Sequence, residues 1–314
     1  MKIALIGRTE TLFRTAQILV EQGHELTAVI TAKAAPEYTK SSEDFKLLSQ
    51  EFSVPFMHTA KIIDAVAMLQ SIPSVDIGIS MNYTGVIPQE VIDIFPLGIL
   101  NAHGGDLPRY RGNACQAWAI LNDEKKVGLC IHKMVGGELD SGDIIVRDYY
   151  SLTQESTITE VHEWMSTRIP DLFMDALDLL ESDPFYILEK QSVNPKDALR
   201  CYPRKPEDGA INWHKDALEI IRLINASAKP YAGAFTYLKG EKIRIWKARL
   251  GELPCPSCFI PGQILWKNDD GSVAVGTGNS GVLFIDVVQK EYSPLVSATE
   301  MVLSLRDRFG EKNV

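Results

Sequence analysis

Short apolar runs alternate with amphipathic stretches through the first hundred residues. Residues 2–6 form an aliphatic run ending at Gly7; Leu12, Ala16, Leu19 and Val20 then recur at helical spacing until Gly23, and residues 26–30 form a second β-branched run. The same rhythm predicts a helix over 44–52, extended chain at 54–57, a helix over 60–69 and a buried strand at 75–80. A helix over 88–94 and a strand at 98–101 complete the series. Such β-α-β alternation predicts an α/β, Rossmann-like, mostly parallel sheet covered by helices, with ligands bound beyond the carboxyl ends of the strands.

The first strand turns through Gly7-Arg8-Thr9-Glu10-Thr11-Leu12, which lacks the second and third glycines of a dinucleotide fingerprint, and no P-loop motif occurs anywhere. The sheet is therefore expected to serve another ligand. Beyond residue 200 the texture changes. A turn-rich junction at 201–209 precedes one helix (216–226) and strand-like pieces at 234–238, 242–248, 262–266, 272–276 and 282–288. Strands separated by short turns predict a smaller β-barrel-like (OB-like) domain, so the division expected is 1–200 and 201–314.

Length and charge narrow the partners. A chain of 314 residues, 45% apolar and 23% charged, has the balance of a globular protein of about two domains. No apolar run reaches bilayer length, and the apolar start is too short for a signal peptide, so no membrane partner and a cytoplasmic location are expected. Five cysteines, an odd number, suit a reducing compartment. Cys255-Pro256-Ser257-Cys258 has no second ligand pair nearby and reads as a loop between strands rather than half a zinc site or a redox pair. Residues 201–314 hold 15 basic and 13 acidic residues, leaving a net charge of −11 on residues 1–200. That distribution gives no footprint for a long phosphate backbone, and no nucleic acid partner is expected.

The chemistry concentrates in Asn101-Ala102-His103-Gly104-Gly105-Asp106-Leu107-Pro108-Arg109-Tyr110-Arg111-Gly112-Asn113. Asn101 and His103, two apart at a strand end, leave the same face, placing an amide donor beside a titratable imidazole. Strand candidates at 128–134 and 144–146 flank Gly136-Gly137-Glu138-Leu139-Asp140-Ser141-Gly142-Asp143, whose glycines could bring Asp140 to the imidazole as its orienting carboxylate. A strand-end Asn-x-His also serves as a polar cap or half a metal site; the metal reading lacks a third ligand, and no metal is expected.

At these residues the chain resembles the folate-dependent formyltransferases, a family that includes the methionyl-tRNA and amino-sugar enzymes. The pattern N-x-H…LP-x-Y-R-G…LD-x-G-D carries the likeness, and Pro206-Glu207-Asp208-Gly209 with Pro230-Tyr231-Ala232-Gly233 resembles the C-terminal domain of the longer members. The resemblance implies the formyltransferase fold, 10-formyltetrahydrofolate as formyl donor, and Asn101, His103 and Asp140 as catalytic residues. Glu138 and Asp143 compete with Asp140 for the carboxylate role, and the family register favours Asp140. The resemblance also implies a donor site along Asn82, Tyr83, Gly85, Val86 and Ile87 and along Val135, Gly136, Gly137, Glu138 and Asp140. Arg111-Gly112-Asn113-Ala114 followed by Trp118-Ala119-Ile120 looks like the amino-sugar branch, implying a nucleotide-linked amino sugar as acceptor and a place in polysaccharide biosynthesis; the alternative is methionyl-tRNA. The family also admits a homodimer, for which no hydrophobic stripe marks an interface.

Blander readings stand beside these. Met81, Tyr83 and Ile87, each taken alone, read as strand-end core. Arg109 and Arg111 stand evenly between solvated loop charges and phosphate ligands, with Asn113 beside them. Arg8, Tyr202 and Arg204 are weaker candidates for the nucleotide. Trp213 and Trp246 are expected to pack the second domain, and His24, His58, His132, His162 and His214 have no matching partners in the sequence.

Overall fold

The structure, a computed structural model, describes residues 1–310. As far as residue 201 it contains strands β1 (Lys2–Gly7), β2 (Glu25–Thr31), β3 (Phe56–His58), β4 (Ile77–Met81), β5 (Ile99–His103), β6 (Arg111–Gly112), β7 (Lys126–Lys133), β8 (Ile144–Ser151) and β9 (Arg200–Cys201). Seven of them build one sheet in the order β3-β2-β1-β4-β5-β7-β8, while β6 and β9 pair separately. The pairs β1–β2, β1–β4, β2–β3 and β4–β5 are parallel and β5–β7 is antiparallel. The mostly parallel sheet expected from the alternation is present.

Six helices belong to the same stretch: α1 (Glu10–Glu21), α2 (Ser42–Glu51), α3 (Val66–Gln70), α4 (Gln89–Ile92), α5 (Cys115–Leu121) and α6 (Ile158–Ser182). Thr9 caps α1 by accepting the Leu12 N–H, and Ser41 with Asp44 forms a capping box on α2. Gly7 closes β1 where a Cβ would overlap the Met81 carbonyl, so this glycine permits close packing of β1 against β4. Ala4, Ile6, Ala28, Ile30, Val91 and Ile99 are among the buried side chains of the sheet core.

Two expectations shift. The helix expected over 60–69 divides into a 3-10 turn, Ile62–Ala65, and α3, and the one expected over 88–94 keeps only α4. Strand β5 continues past residue 101 to His103 because Asn101, Ala102 and His103 pair with His132, Ile131 and Cys130 of β7.

The remaining chain forms α7 (Ala217–Ala226), β10 (Ala234–Leu238), β11 (Glu241–Gly251), β12 (Ile264–Lys267), β13 (Val273–Gly276), β14 (Val282–Lys290), β15 (Val296–Ser297) and α8 (Ala298–Met301). The strands run β10-β11-β14-β13-β12, with β15 on β14. Bridges Leu238↔Phe309 and Gln263↔Arg308 carry one short segment between the two outer strands, curling this antiparallel sheet towards the expected barrel. Trp213 stacks on Phe309 at 5.5 Å inside it, and the half-buried Trp246 donates to Gln289 at 2.8 Å.

Two compact units result. The first comprises Met1–Cys115, Val127–Tyr150 and His162–Tyr202; the second comprises Gln116–Lys126, Ser151–Val161 and the chain from Pro203 onward. Among the described residues, no helix is long and apolar enough to cross a membrane.

Candidate active site

Antiparallel pairing sets the first part of the site. Asn101 of β5 lies directly opposite His132 of β7, so both side chains leave one face, and Asn101 Nδ2 meets His132 Nε2 at 3.2 Å. His132 Nδ1 lies 2.9 Å from the Lys133 carbonyl, which can only accept. The ring proton therefore sits on Nδ1, and Nε2 accepts from the Asn101 amide. His103, two residues along the strand, places Nε2 2.7 Å from the Tyr110 carbonyl by the same logic. In the neutral ring its lone pair is on Nδ1.

Asp140 completes the cluster from the 136–143 loop. Its Oδ2 lies 3.5 Å from His103 Nδ1 and accepts the Gly112 N–H at 2.9 Å, while Oδ1 lies 3.6 Å from His132 Nε2. The side chains of His103 and Asp140 are 8% and 11% exposed, so their electrostatic interactions are poorly screened by water. Burial lowers the His103 pKa from its ordinary value, and the opposing pull of Asp140 does not overcome it, leaving the imidazole uncharged at neutral pH. Burial alone would raise the Asp140 carboxyl. His103 and His132, which attract the carboxylate once they are protonated, and the Gly112 N–H outweigh that effect and hold it well below the usual carboxylate range. The result is an ionised carboxylate beside a neutral imidazole with its basic nitrogen turned towards it.

Local structure holds these groups firmly. Arg147 fixes the 104–108 turn by donating to Asp106 at 2.9 Å and to the Leu107 carbonyl at 3.0 Å. A Cβ on Gly105 would overlap both His103 Nε2 and the Tyr110 carbonyl, so glycine lets that bond form. Tyr110 and Asp140 adopt left-handed backbone, φ 54° and 50°, a conformation that costs a non-glycine residue energy and persists only where surrounding bonds fix it.

For Asp140 the fixing residue is Gln191. Its Nε2 donates to the carbonyls of Asp140 at 2.9 Å and Gly142 at 2.6 Å, and its Oε1 accepts Arg111 Nη2 at 2.7 Å. Gln191→Leu strands these partners and is expected to cost about 2–4 kcal/mol of stability. Denaturant unfolding checks this; a loss below about 0.5 kcal/mol would remove Gln191 from the support of the loop.

The two segments expected to hold the donor meet beyond β4 and β7. Gly137 N donates to the Ile87 carbonyl at 3.3 Å, and Gly136 N donates to the Gln89 side chain at 2.9 Å. A Cβ on Gly136 would overlap the Gln89 backbone. Val86, Val135 and Leu139 stay exposed along these loops, Ile87 is buried, Tyr83 is half-buried with its hydroxyl on the Thr59 carbonyl, and Gly85 and Glu138 are exposed. Asn82, φ 53°, receives a bond from Arg8 to its carbonyl at 2.7 Å.

The candidates for the acceptor have partners within the protein or lie exposed. Arg8 also donates to the Lys33 carbonyl and lies over the Tyr38 ring, making it a strut for the Asn82 turn. Arg111 is engaged by Gln191. Arg204, in the second unit, donates to the Ala226 carbonyl and the Ser227 hydroxyl. Arg109, Asn113 and Tyr202 are exposed, with Arg109 over the Tyr110 ring at 5.3 Å and Arg200 over the Tyr202 ring at 5.5 Å. The expectation that His132 lacks a partner is corrected: it bonds Asn101 and faces Asp140. Its signal was the alternation of β7, which aims residue 132 at the face of Asn101 once the two strands pair.

Residues 1–177 match the model of the formyl transferase family and residues 204–306 the model of the formyl transferase C-terminal domain. A methionyl-tRNA formyltransferase of Geotalea daltonii is 27% identical over 99% of this chain and 98% of its own length. One from Pelotomaculum thermopropionicum is 29% identical over 90% and 89%. The solved sugar 3N-formyltransferase WlaRD superposes with a TM-score of 0.67 at 17% identity, covering 94% of this chain and 99% of that one. An N-formyltransferase of Helicobacter canadensis in complex with folinic acid and dTDP-3-aminofucose gives 0.64 at 16% identity, over 92% and 99%. HypX of Aquifex aeolicus in complex with tetrahydrofolic acid gives 0.61 at 19%, over 97% of this chain, which spans about half of that protein (47%). With the first family model alone covering more than half of its length, the chain belongs to the formyl transferase family.

Proposed function

We propose that the chain transfers a formyl group from 10-formyltetrahydrofolate to the amino group of a nucleotide-linked amino sugar. The observation that carries the reaction class is the convergence of Asn101, His103 and Asp140 at the carboxyl end of β5 in a chain of this family. The exposed apolar Val86, Val135 and Leu139, on loops rich in backbone polar groups, suit a flat heterocycle with an amide-like edge. When bound, the donor supplies an activated one-carbon acyl group.

The roles follow from the atoms. Asn101 Nδ2 carries two hydrogens; one bonds His132, and the other is available to the formyl oxygen as negative charge develops there. His103 Nδ1 takes the proton of the attacking amine, and the Asp140 carboxylate stabilises the imidazolium that forms. Arg111 Nε and Ser141 Oγ, beside this cluster, are buried without a hydrogen-bond partner, which suits a site completed by a ligand. Arg109 and Asn113, exposed on the loop ahead of α5, supply charge and hydrogen bonds to the acceptor.

The amino-sugar reading is supported by the Arg111-Gly112-Asn113-Ala114 loop, by the −11 net charge of residues 1–200, which opposes a long polyanion, and by the fold likeness to two sugar formyltransferases. Methionyl-tRNA is the second reading, favoured by the names of the curated relatives. Purified protein with 10-formyltetrahydrofolate and a panel of dTDP-, UDP- and GDP-linked amino sugars is expected to release tetrahydrofolate with at least one of them. Silence across the panel with turnover on charged initiator tRNA selects the second reading.

Because the lowered His103 pKa keeps the base uncharged at neutral pH, kcat/KM is expected to be level above about pH 7 and to fall below about pH 6.5 as the ring protonates. A midpoint above 6.5, or the same limb in His103→Gln, removes His103 as the base.

A further inference from the structure

The strand pair β6–β9 lies within the first unit and reaches the candidate site through one residue. Gly112 of β6 donates its N–H to Asp140 Oδ2 at 2.9 Å, and Arg111 and Gly112 pair with Arg200 and Cys201 of β9. The Arg200 guanidinium packs against that same glycine: a Cβ on Gly112 would overlap Arg200 Nη1, so a residue without one, here at φ 105°, lets the two meet. On its other side the guanidinium lies over the Tyr202 ring at 5.5 Å.

Charge around Arg200 is unbalanced. The residue is exposed, and among the described residues its guanidinium meets no carboxylate within ion-pair distance and no hydrogen-bond acceptor. Arg111, directly across the ladder, is held by the neutral amide of Gln191 and keeps Nε without a partner. Two cationic residues opposed across a strand pair repel each other, and an anion bound at that point turns the repulsion into attraction. Arg8 and Arg204 differ, because they donate to carbonyls of the protein. The Arg200 donors remain open on a group already steadied by a ring and a glycine, so a ligand orders little more side chain to engage them.

We infer that Arg200 binds the diphosphate of the nucleotide-linked acceptor. This role rests on the amino-sugar reading above and adds to it the residue that grips the acceptor's anion. The guanidinium fork meets two phosphate oxygens with parallel N–H bonds, and Tyr202 positions it. In such an acceptor one sugar ring stands between the amino group and the diphosphate. Gly112 stands between the matching protein groups: its N–H holds Asp140, which faces the base His103, and Arg200 packs against it. With a net charge of −11 on residues 1–200, an anionic acceptor requires a cation placed at its own phosphates.

Isothermal titration of the full chain with dTDP, UDP and GDP tests this role. The unaltered protein is expected to bind at least one of them, and Arg200→Gln to bind it about tenfold or more weakly through loss of the charged hydrogen bonds. Arg14→Gln removes an exposed cation from α1 and should bind within about twofold of the unaltered protein, which controls for bulk charge. With the matching amino sugar, Arg200→Gln should raise the acceptor KM by about the binding factor, keep kcat within about threefold and leave the KM for 10-formyltetrahydrofolate unchanged, a split that a disturbed fold would not give. Arg200→Lys should recover only part of the loss, since it keeps the charge without the fork. Nucleotide binding by Arg200→Gln within about twofold of the unaltered protein, equal weakening in Arg14→Gln, or a fall in kcat at unchanged acceptor KM overturns the role of Arg200 and leaves the amino-sugar reading standing. Should Arg200→Gln fail to fold, Arg200→Lys decides, and binding equal to that of the unaltered protein overturns the role. An unaltered protein that binds none of the three nucleotides overturns it as well, and turnover on charged initiator tRNA then defeats the amino-sugar reading too.

Discussion

Asp140→Asn is expected to lower formyl-transfer turnover by about 10²–10⁴-fold with the fold intact. The amide keeps nearly the same shape and can still accept the Gly112 N–H, so the 136–143 loop retains that anchor. The negative charge is lost. His103 then has no counter-ion for the proton it takes up, in a position where burial already lowers its pKa. The acid limb should move to still lower pH while its height collapses, a pairing that a merely structural defect would not produce. His103→Ala should cost a similar factor, and the double variant should lose far less than the product, because the two side chains act as one unit. Steady-state rates with circular dichroism on the same samples check both; Asp140→Asn turnover within threefold of the unaltered enzyme would place the chemistry elsewhere.

Gly105→Ala should be nearly as damaging although it changes one hydrogen to a methyl group. The new carbon falls between His103 Nε2 and the Tyr110 carbonyl, so the imidazole must swing or the 104–110 loop must lift. Either movement releases Nε2 from the acceptor that fixes its proton, and the basic nitrogen no longer faces Asp140. A misplacement of about 1 Å in such a group costs roughly 10²-fold in rate, with overpacking adding about 1–3 kcal/mol of lost stability. Full activity in this variant would show that the His103–Tyr110 bond has no role in turnover.

The alternation of runs along the chain was enough to place β5 and the loop after β7, since strand period and glycine flanks are local properties. Asn101 and His103 were legible for the same reason: a spacing of two aims both at one side. His132 was not, because its meaning depends on β7 lying antiparallel to β5 in one register, which no local pattern specifies. Gln191 was invisible for a related reason: it sits in a polar stretch between α6 and β9 and acts on a loop 51 residues away. Charge on a loop is less informative. Arg8 and Arg204 read as weaker candidates for the nucleotide and Arg111 stands evenly between a solvated charge and a phosphate ligand; each guanidinium bonds a carbonyl, an amide or a hydroxyl of the protein itself, while Arg111 Nε keeps no partner. A guanidinium in a turn has the same appearance in sequence whether it braces the backbone or waits for an anion.

Gln191 has a practical consequence for dissection of the gene. The N-terminal family match stops at residue 177, whereas the carboxylate loop is braced by a side chain 14 positions further on and the first unit runs to Tyr202. A chimera spliced at residue 177 would inherit the amide, the imidazoles and the carboxylate but leave behind their brace and β9. Grafts, truncations and split reporters built from this enzyme should therefore carry the chain at least to Tyr202.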